Sequence, residues 1–380
     1  MNLRKIKWNH YINYVIIGIF TAVLAVMTFA GNNFDASLLY LLEKIAISVI
    51  LAVSLSLVVG FLGELSLGHA GFMCVGAYLG GKVAALLEPT LGKDSILAVL
   101  VALLVGGAVA ALCGIVIGIP ALRLRGDYLA IVTLAFGEIV KSIFQNTSDD
   151  SFGGAIGLST PRFDKKYLFI IAFVLVLITL AVVQNFIRSK HGRAVTSIRD
   201  NEIAAKATGI NVTKYKLLAF TMSATFAGIA GVLYSYSNYT VQSAKFGYNY
   251  SIEILVMVVL GGMGSINGSI IAAALITFLN TKLATVLTGD LAVLQNLLYA
   301  VILILIVVYN NAPALKSFRD RYNFNVLFRK LFRRKNDPSS VQDDAAKWDV
   351  VPTKIDMDEV LSVDMTPPEM QDHTGKGGDE

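Results

Sequence analysis

Apolar residues along this chain come in repeated blocks of roughly 18 to 25, between about residues 13 and 309. A helix rises 1.5 Å per residue, so about 20 residues cross a hydrocarbon core of ~30 Å. Inside lipid every backbone N–H and C=O must be paired within the protein, and a helix does that within its own segment. The blocks therefore constrain the fold more than any other feature. Composition agrees: of 380 residues 55% are hydrophobic and 16% charged, with a mean hydropathy of +0.64. A soluble domain carries about 25% charged residues. A β-barrel would alternate apolar and polar residues over about ten positions, whereas these blocks are continuous. The sequence predicts an all-α polytopic membrane protein.

Ten spans are predicted, near 13–30, 38–59, 62–87, 95–119, 128–145, 167–187, 216–237, 251–263, 266–287 and 291–309. Lys and Arg mark the cytoplasmic side of such a protein. With the N-terminus inside, 20 of them fall on inner segments and nine on outer loops and span ends. The expected organisation is a cytoplasmic N-terminus 1–12 and a transmembrane domain 13–309 with a cytoplasmic loop at 188–215. A basic juxtamembrane segment 310–335 and an acidic tail 336–380 follow, so both termini are expected in the cytoplasm. The first apolar run, behind Arg4, Lys5 and Lys7, also has the outline of a signal peptide; its length favours an uncleaved span. The tail holds twelve Asp/Glu and few large apolar residues, a composition that predicts disorder. The membrane part is more basic than the net +5 of the chain, and its basic collar suits anionic lipid heads.

Polar features inside this frame are the functional candidates. SIRDNEIAAKATGIN, residues 197–211, is too polar for the membrane yet carries helix signals. Asp200 is the predicted N-cap, Asn201 and Glu202 fill the first turn, alanines 204, 205 and 207 continue it, and Gly209 ends it. A helix of about two turns is marginal alone. It either packs on its own spans as a connector or docks into a partner's groove; residue chemistry leaves both open. GFLGELSLGHAGFMCVGAYLGG, residues 60–81, combines dense glycine with Glu64 and His69. Glycines such as Gly63, Gly68, Gly76 and Gly80 let helices approach closely or break. Glu64 and His69 are candidate translocation-path groups, because ionisable residues in a membrane are costly; the alternative is an interfacial Glu64 and a structural His69. Glu138 lies about eleven residues into its span, past mid-depth, with Lys141 one turn on as a partner. Glu43 and Lys44 pose the same question near the outer face. VVLGGMGSINGSIIAAAL, residues 258–275, holds Gly261, Gly262, Gly264 and Gly268 and is expected to form a tight turn between closely packed spans.

Several chemistries are excluded. GAYLGGKV, residues 76–83, matches G-x-x-x-x-G-K but has Val83 where a P-loop needs Ser or Thr, and no strand precedes it. Cys74 and Cys113 lie in apolar blocks and read as small hydrophobes. The four histidines are scattered and predict no metal site. No nucleophile–base constellation is visible, so the chain is not expected to be an enzyme, and nothing points to a nucleic-acid partner.

Taken in order, GELSLGHAGF, LRLRGDYLAIVTLAFGEIV, FGGAIGLS, GRAVTSIRDNEIAAKATGINVTKYKLLAF and MVVLGGMGSINGSIIAAAL resemble the membrane permease of branched-chain amino acid ABC importers, the LivM type. The resemblance runs from about Phe61 to Leu275. It implies the ten-helix type II importer fold in the bacterial cytoplasmic membrane. It also implies two cytoplasmic ABC ATPases, a second permease subunit, forming a heterodimer, and an external substrate-binding protein. ATP and Mg would sit on the ATPases, leaving this chain without a cofactor. The loop at 197–211 then corresponds to the coupling loop, with Glu202, Ala204, Ala205 and Gly209 matching its pattern. Two departures stand out: Glu64 sits where family members often carry Gln, and the acidic tail lies outside the pattern. Related permeases move urea, amides and other amino acids. An ion-coupled secondary transporter using Glu64, His69 and Glu138 is a rival reading, but it gives the loop helix no purpose.

Overall fold

The computed structural model describes residues 12–29, 35–92, 94–124 and 126–286, together with 300, 301 and 304. All but three residues of the predicted tenth span, and the basic segment 310–335, the acidic tail and residues 1–11, lie outside the described residues. Helices α1 (Ile12–Phe29), α2 (Ala36–Ser56, continued by one π-helical segment Leu57–Leu62), α3 (His69–Leu91), α4 (Ile96–Ala121) and α5 (Asp127–Gln145) come first. A short α6 (Asp149–Phe152) and strand β1 (Leu158–Ser159) lead into α7 (Lys165–Arg188). Helices α8 (Lys190–Asp200) and α9 (Glu202–Ala207) form the polar loop before α10 (Val212–Asn238). Strand β2 (Thr240–Val241), α11 (Tyr248–Gly261) and α12 (Ile266–Val286) complete the described part.

Among the described residues, six helices are long and apolar enough to cross a membrane: Ala36–Leu62, α3, α4, α7, α10 and α12. Two of the remaining expected spans are described helices outside those six. Helix α5 carries Asp127, Glu138 and Lys141, and α11 has only 14 residues. The expected span 62–87 is also redrawn. Its first residues, 63–68, are not helical, and the helix begins at His69. Gly63, with a left-handed φ of 77°, ends the preceding helix there.

Helix α10 is central and packs along α2, α3 and α4. Without water to drive apolar surfaces together, spans associate where small residues let backbones meet. That is the arrangement here: a Cβ on Gly76 of α3 would strike the backbone of Gly228 on α10, and one on Gly228 would strike Ala110 and Gly106 of α4. Gly80 meets Val232 and the Ala102 carbonyl in the same seam. Helix α2 also packs on α7, α11 and α12, and its second half is buried on all sides, as its all-round apolar sequence requires. By contrast α4 exposes Leu100, Leu104, Leu112 and Val116, a stripe that fits lipid rather than water.

At the end away from the polar loop, β1 pairs antiparallel with β2, Leu158 opposite Val241 and Ser159 opposite Thr240. Tyr78 donates to the Val241 carbonyl at 3.0 Å, and Thr160 to that of Ser235 at 2.6 Å. The 148–164 segment is thereby tied over the ends of α3 and α10.

Candidate functional site

The polar loop is two helices where one was expected. Ser189 caps α8, its Oγ accepting from the His191 and Gly192 amides at 3.1 and 3.3 Å. Asp200 is the last residue of α8 rather than the cap of the next helix, and its carboxylate receives the Arg199 guanidinium at 2.9 Å. The cap of α9 is Asn201, whose Oδ1 accepts from the Ile203 and Ala204 amides at 3.0 Å each. Both residue types are favoured caps, so type alone did not choose between neighbours. What decides is that α8 runs through Asp200, leaving Asn201 in extended backbone. Helix α9 ends in a Schellman motif. The Ile210 amide bonds the Ala205 carbonyl and the Gly209 amide that of Lys206, at 3.1 and 3.0 Å. Gly209 sits at φ 85°, where a side chain would be strained.

Capping alone does not hold six residues helical; an ion network does. Lys216, in the first two turns of α10, is buried and donates to both Glu64 and Glu202. Glu202 Oε2 lies 3.3 Å from Lys216, and Oε1 lies 2.8 Å from Lys206 one turn along. The bonded Lys206 ammonium, and after it Lys216, hold the Glu202 carboxyl below the ordinary carboxylate range, against the opposing pull of partial burial. Side-chain exposure is 5% for Lys216 and 12% for Glu64, so neither charge has much water and each depends on the other. Glu64 stands in the helix break between α2 and α3. A second tie runs parallel to the first: Arg199 Nη1 donates to the Gly60 carbonyl at 3.1 Å. Gly60 lies in the π-helical segment and packs against Gly264 in the α11–α12 turn. The loop is thus pinned at two points to the broken end of α2.

The predicted residues therefore separate. Glu64 and Glu202 come together through Lys216, which the sequence presented only as one more basic residue at the end of the loop; its place at the very start of an apolar run was the available signal. Asp200 belongs to the Arg199 tie. Ala205 is buried under α9, whereas Ala204 is exposed and Ile203 beside it is 76% exposed. His69 is buried and shares a 2.9 Å hydrogen bond with Ser54 Oγ, an interhelical contact between α3 and α2. Glu138 is paired with Lys141 at 2.9 Å and accepts the Tyr248 amide at 2.8 Å, so it caps the start of α11. Glu43 and Lys44 diverge. Glu43 is buried and accepts from Ser237 at 2.6 Å, and Lys44 lies over the Tyr40 ring. Glu64, His69 and Glu138 thus bond to different partners on different helices and form no shared site.

The glycines also divide. Gly68 lies against Thr133 of α5, and Gly261 against Gly268 across the α11–α12 turn. Gly63 meets the Arg199 side chain. Gly262 and Gly264 have left-handed φ of 91° and 85° and form the turn, and the backbone of Gly264 also lies close against Gly60. Among the described residues no group of His, Cys, Asp or Glu would hold a metal ion.

A multi-pass all-α membrane protein with a capped polar loop pinned to a transmembrane helix break is the class these features define. The chain belongs to the family of permease components of branched-chain amino acid transport systems, whose profile matches residues 37–307. It is 37% identical over 261 residues to the high-affinity branched-chain amino acid transport permease LivM of Salmonella typhimurium and, equally, of Escherichia coli. That match covers 60% of this chain and 60% of the relatives, so the chain spans under two thirds of their length. The ribose import permease RbsC of Escherichia coli is 26% identical over 78% of this chain and 92% of its own. No solved structure matches the chain.

Proposed function

We propose that this chain is the membrane permease subunit of an ABC importer for branched-chain amino acids. In this reading it works with two cytoplasmic ATPases, a second, related permease and an external substrate-binding protein. The polar loop faces the cytoplasm, and α9 is the coupling helix that carries movement from the ATPases to the spans. The single observation that carries the reading is the pinning of α9. An exposed surface of Ile203 and Ala204 is held rigidly by Lys216 and Arg199 to the break in α2. A connector would need neither the exposed apolar residue nor two fixed links to a transmembrane helix. The 37% identity to the two LivM permeases supports the amino-acid class, and the lower identity to RbsC makes a sugar the next candidate.

The test is a mild-detergent pull-down of the full-length chain, with co-purifying proteins identified by mass spectrometry, beside the Glu202→Lys variant. Reversal of the charge that Lys206 and Lys216 hold is expected to release α9 and cut ATP-driven leucine uptake at least tenfold. A chain that purifies without ATPases and still drives uptake, or a variant with normal uptake, overturns the assignment.

A further inference from the structure

A cavity of about 510 Å³ lies between the N-terminal half of α2, the end of α10, the start of α11 and the C-terminal half of α12. Its size falls in the range of roughly 300–1,000 Å³ typical of small-molecule sites. It sits at the membrane end away from the polar loop: Lys44, on its wall, precedes Gly60 by a stretch that spans roughly 24 Å of helix at 1.5 Å per residue. The lining is unlike the lipid-facing stripes. Lys44 and Lys245 bring two positive charges and Glu253 a negative one. Asn280 fixes Glu253 by donating to its Oε1 at 3.0 Å. Lys44 is held 4.6 Å over the Tyr40 ring, and the Tyr40 hydroxyl is itself tied to Asn238 at 2.8 Å. Ile47, Phe246 and Met257 supply an apolar floor. Thr277 also lines the cavity, and its hydroxyl finds no hydrogen-bond partner among the described residues.

Ionisable side chains within a membrane protein are costly unless paired or used. None of the ion pairs among the described residues includes Lys44 or Lys245. The cavity thus has cations and a carboxylate on its polar walls and hydrocarbon beneath. We propose that it is a binding site within the permease for a small zwitterion with an apolar side chain, an aliphatic amino acid. Lys44 and Lys245 take the carboxylate, Glu253 takes the ammonium, and Ile47, Phe246 and Met257 receive the side chain. An uncharged polyol or amide of similar size has no carboxylate for Lys44 and Lys245 and no ammonium for Glu253, and a site built around a bonding group rejects the analogue that lacks it. The inference rests on the importer reading but goes beyond it, because it places ligand recognition in this chain and not only in an external binding protein.

The test measures binding of tritiated leucine to the purified full complex, without its binding protein, by scintillation proximity. Saturable binding is expected. Leucine methyl ester, 4-methylpentanoate, ribose and urea should each compete at least tenfold more weakly than leucine. Lys44→Met should weaken leucine at least tenfold while leaving the affinity for the methyl ester unchanged, because that ligand has no carboxylate to lose. This ligand-side comparison holds even where the substitution lowers protein yield. Glu253→Gln should do the same for 4-methylpentanoate, which lacks the ammonium. Competition by ribose or urea at leucine's strength overturns the ligand assignment. No saturable binding, in a complex that still couples leucine uptake to ATP hydrolysis, overturns the site and leaves the importer reading standing. A complex without ATPases overturns the importer reading itself.

Discussion

At the scale of single residues, Lys216 decides whether the polar loop stays fixed. One ammonium serves two carboxylates, Glu64 in the helix break and Glu202 at the start of α9. A buried ion pair adds little over a well-packed apolar pair, but removing one partner strands the other charge at a cost of about 3 kcal/mol or more. Lys216→Met is therefore expected to destabilise the purified chain by about 3 kcal/mol, read as a lowered thermal midpoint in detergent. The double variant Lys216→Met/Glu64→Gln is expected to regain most of that loss, because no deeply buried charge is then left alone. A double variant as unstable as the single would mean that Lys216 acts through packing of its stem. This pairing also explains how the Glu64 charge, a departure from the resembled pattern, is tolerated: it has its own counter-ion. The sequence showed that Glu64 was costly, but not what answered it, since Lys216 is 152 residues away.

At the scale of elements, what was legible followed periodicity and composition. The long apolar blocks became helices close to their predicted limits, because a segment that must satisfy its own backbone in lipid has no alternative to helix. Legibility failed where tertiary contacts set the boundary. The chain breaks at residues 63–68, and the break holds because α5 supplies partners: the Leu67 amide bonds Thr133 Oγ1 at 3.0 Å. Helix α8 escaped notice because its half-buried polar sequence has neither the length nor the hydropathy of a span. The glycine seam was visible as a pattern, but its partner was not. A Cβ on Gly76 would meet the backbone of Gly228, which cannot rotate away as a side chain can, and one on Gly228 would meet the Ala110 Cβ and the Gly106 carbonyl. Overpacking usually costs about 1–3 kcal/mol. Gly76→Leu should exceed that range, since α3, α4 and α10 would all have to separate. We expect it to abolish accumulation of folded protein in membranes, scored by fluorescence-detected size exclusion, with Gly18→Leu, in open space on α1, folding near wild-type levels. Normal accumulation of Gly76→Leu would show that this seam is not what holds the three helices together.

At the scale of the whole molecule, the two polar regions lie at opposite ends of the bundle and share α2. Its first half lines the charged cavity, and its π-helical end receives Arg199 and leads to Glu64. π-Helical turns interrupt the regular ladder and recur at functional sites. A movement of α9 would reach the cavity through α2, and through α10, which carries Lys216 at one end and Tyr234 and Asn238 of the cavity at the other. What remains is whether α9 is gripped from outside. Ile203 answers this, because it is 76% exposed on a helix otherwise fixed from within. An exposed position far from the core changes stability by less than about 0.5 kcal/mol when substituted. An apolar anchor at the centre of an interface, by contrast, costs about 2 kcal/mol or more when lost. Ile203→Asp should therefore leave the thermal midpoint of the isolated permease unchanged and weaken ATPase co-purification at least tenfold. The two readouts together tell misfolding and lost docking apart directly. Unchanged co-purification would mean that the exposed apolar residue of α9 meets no partner, and the loop would then be a connector braced on its own spans.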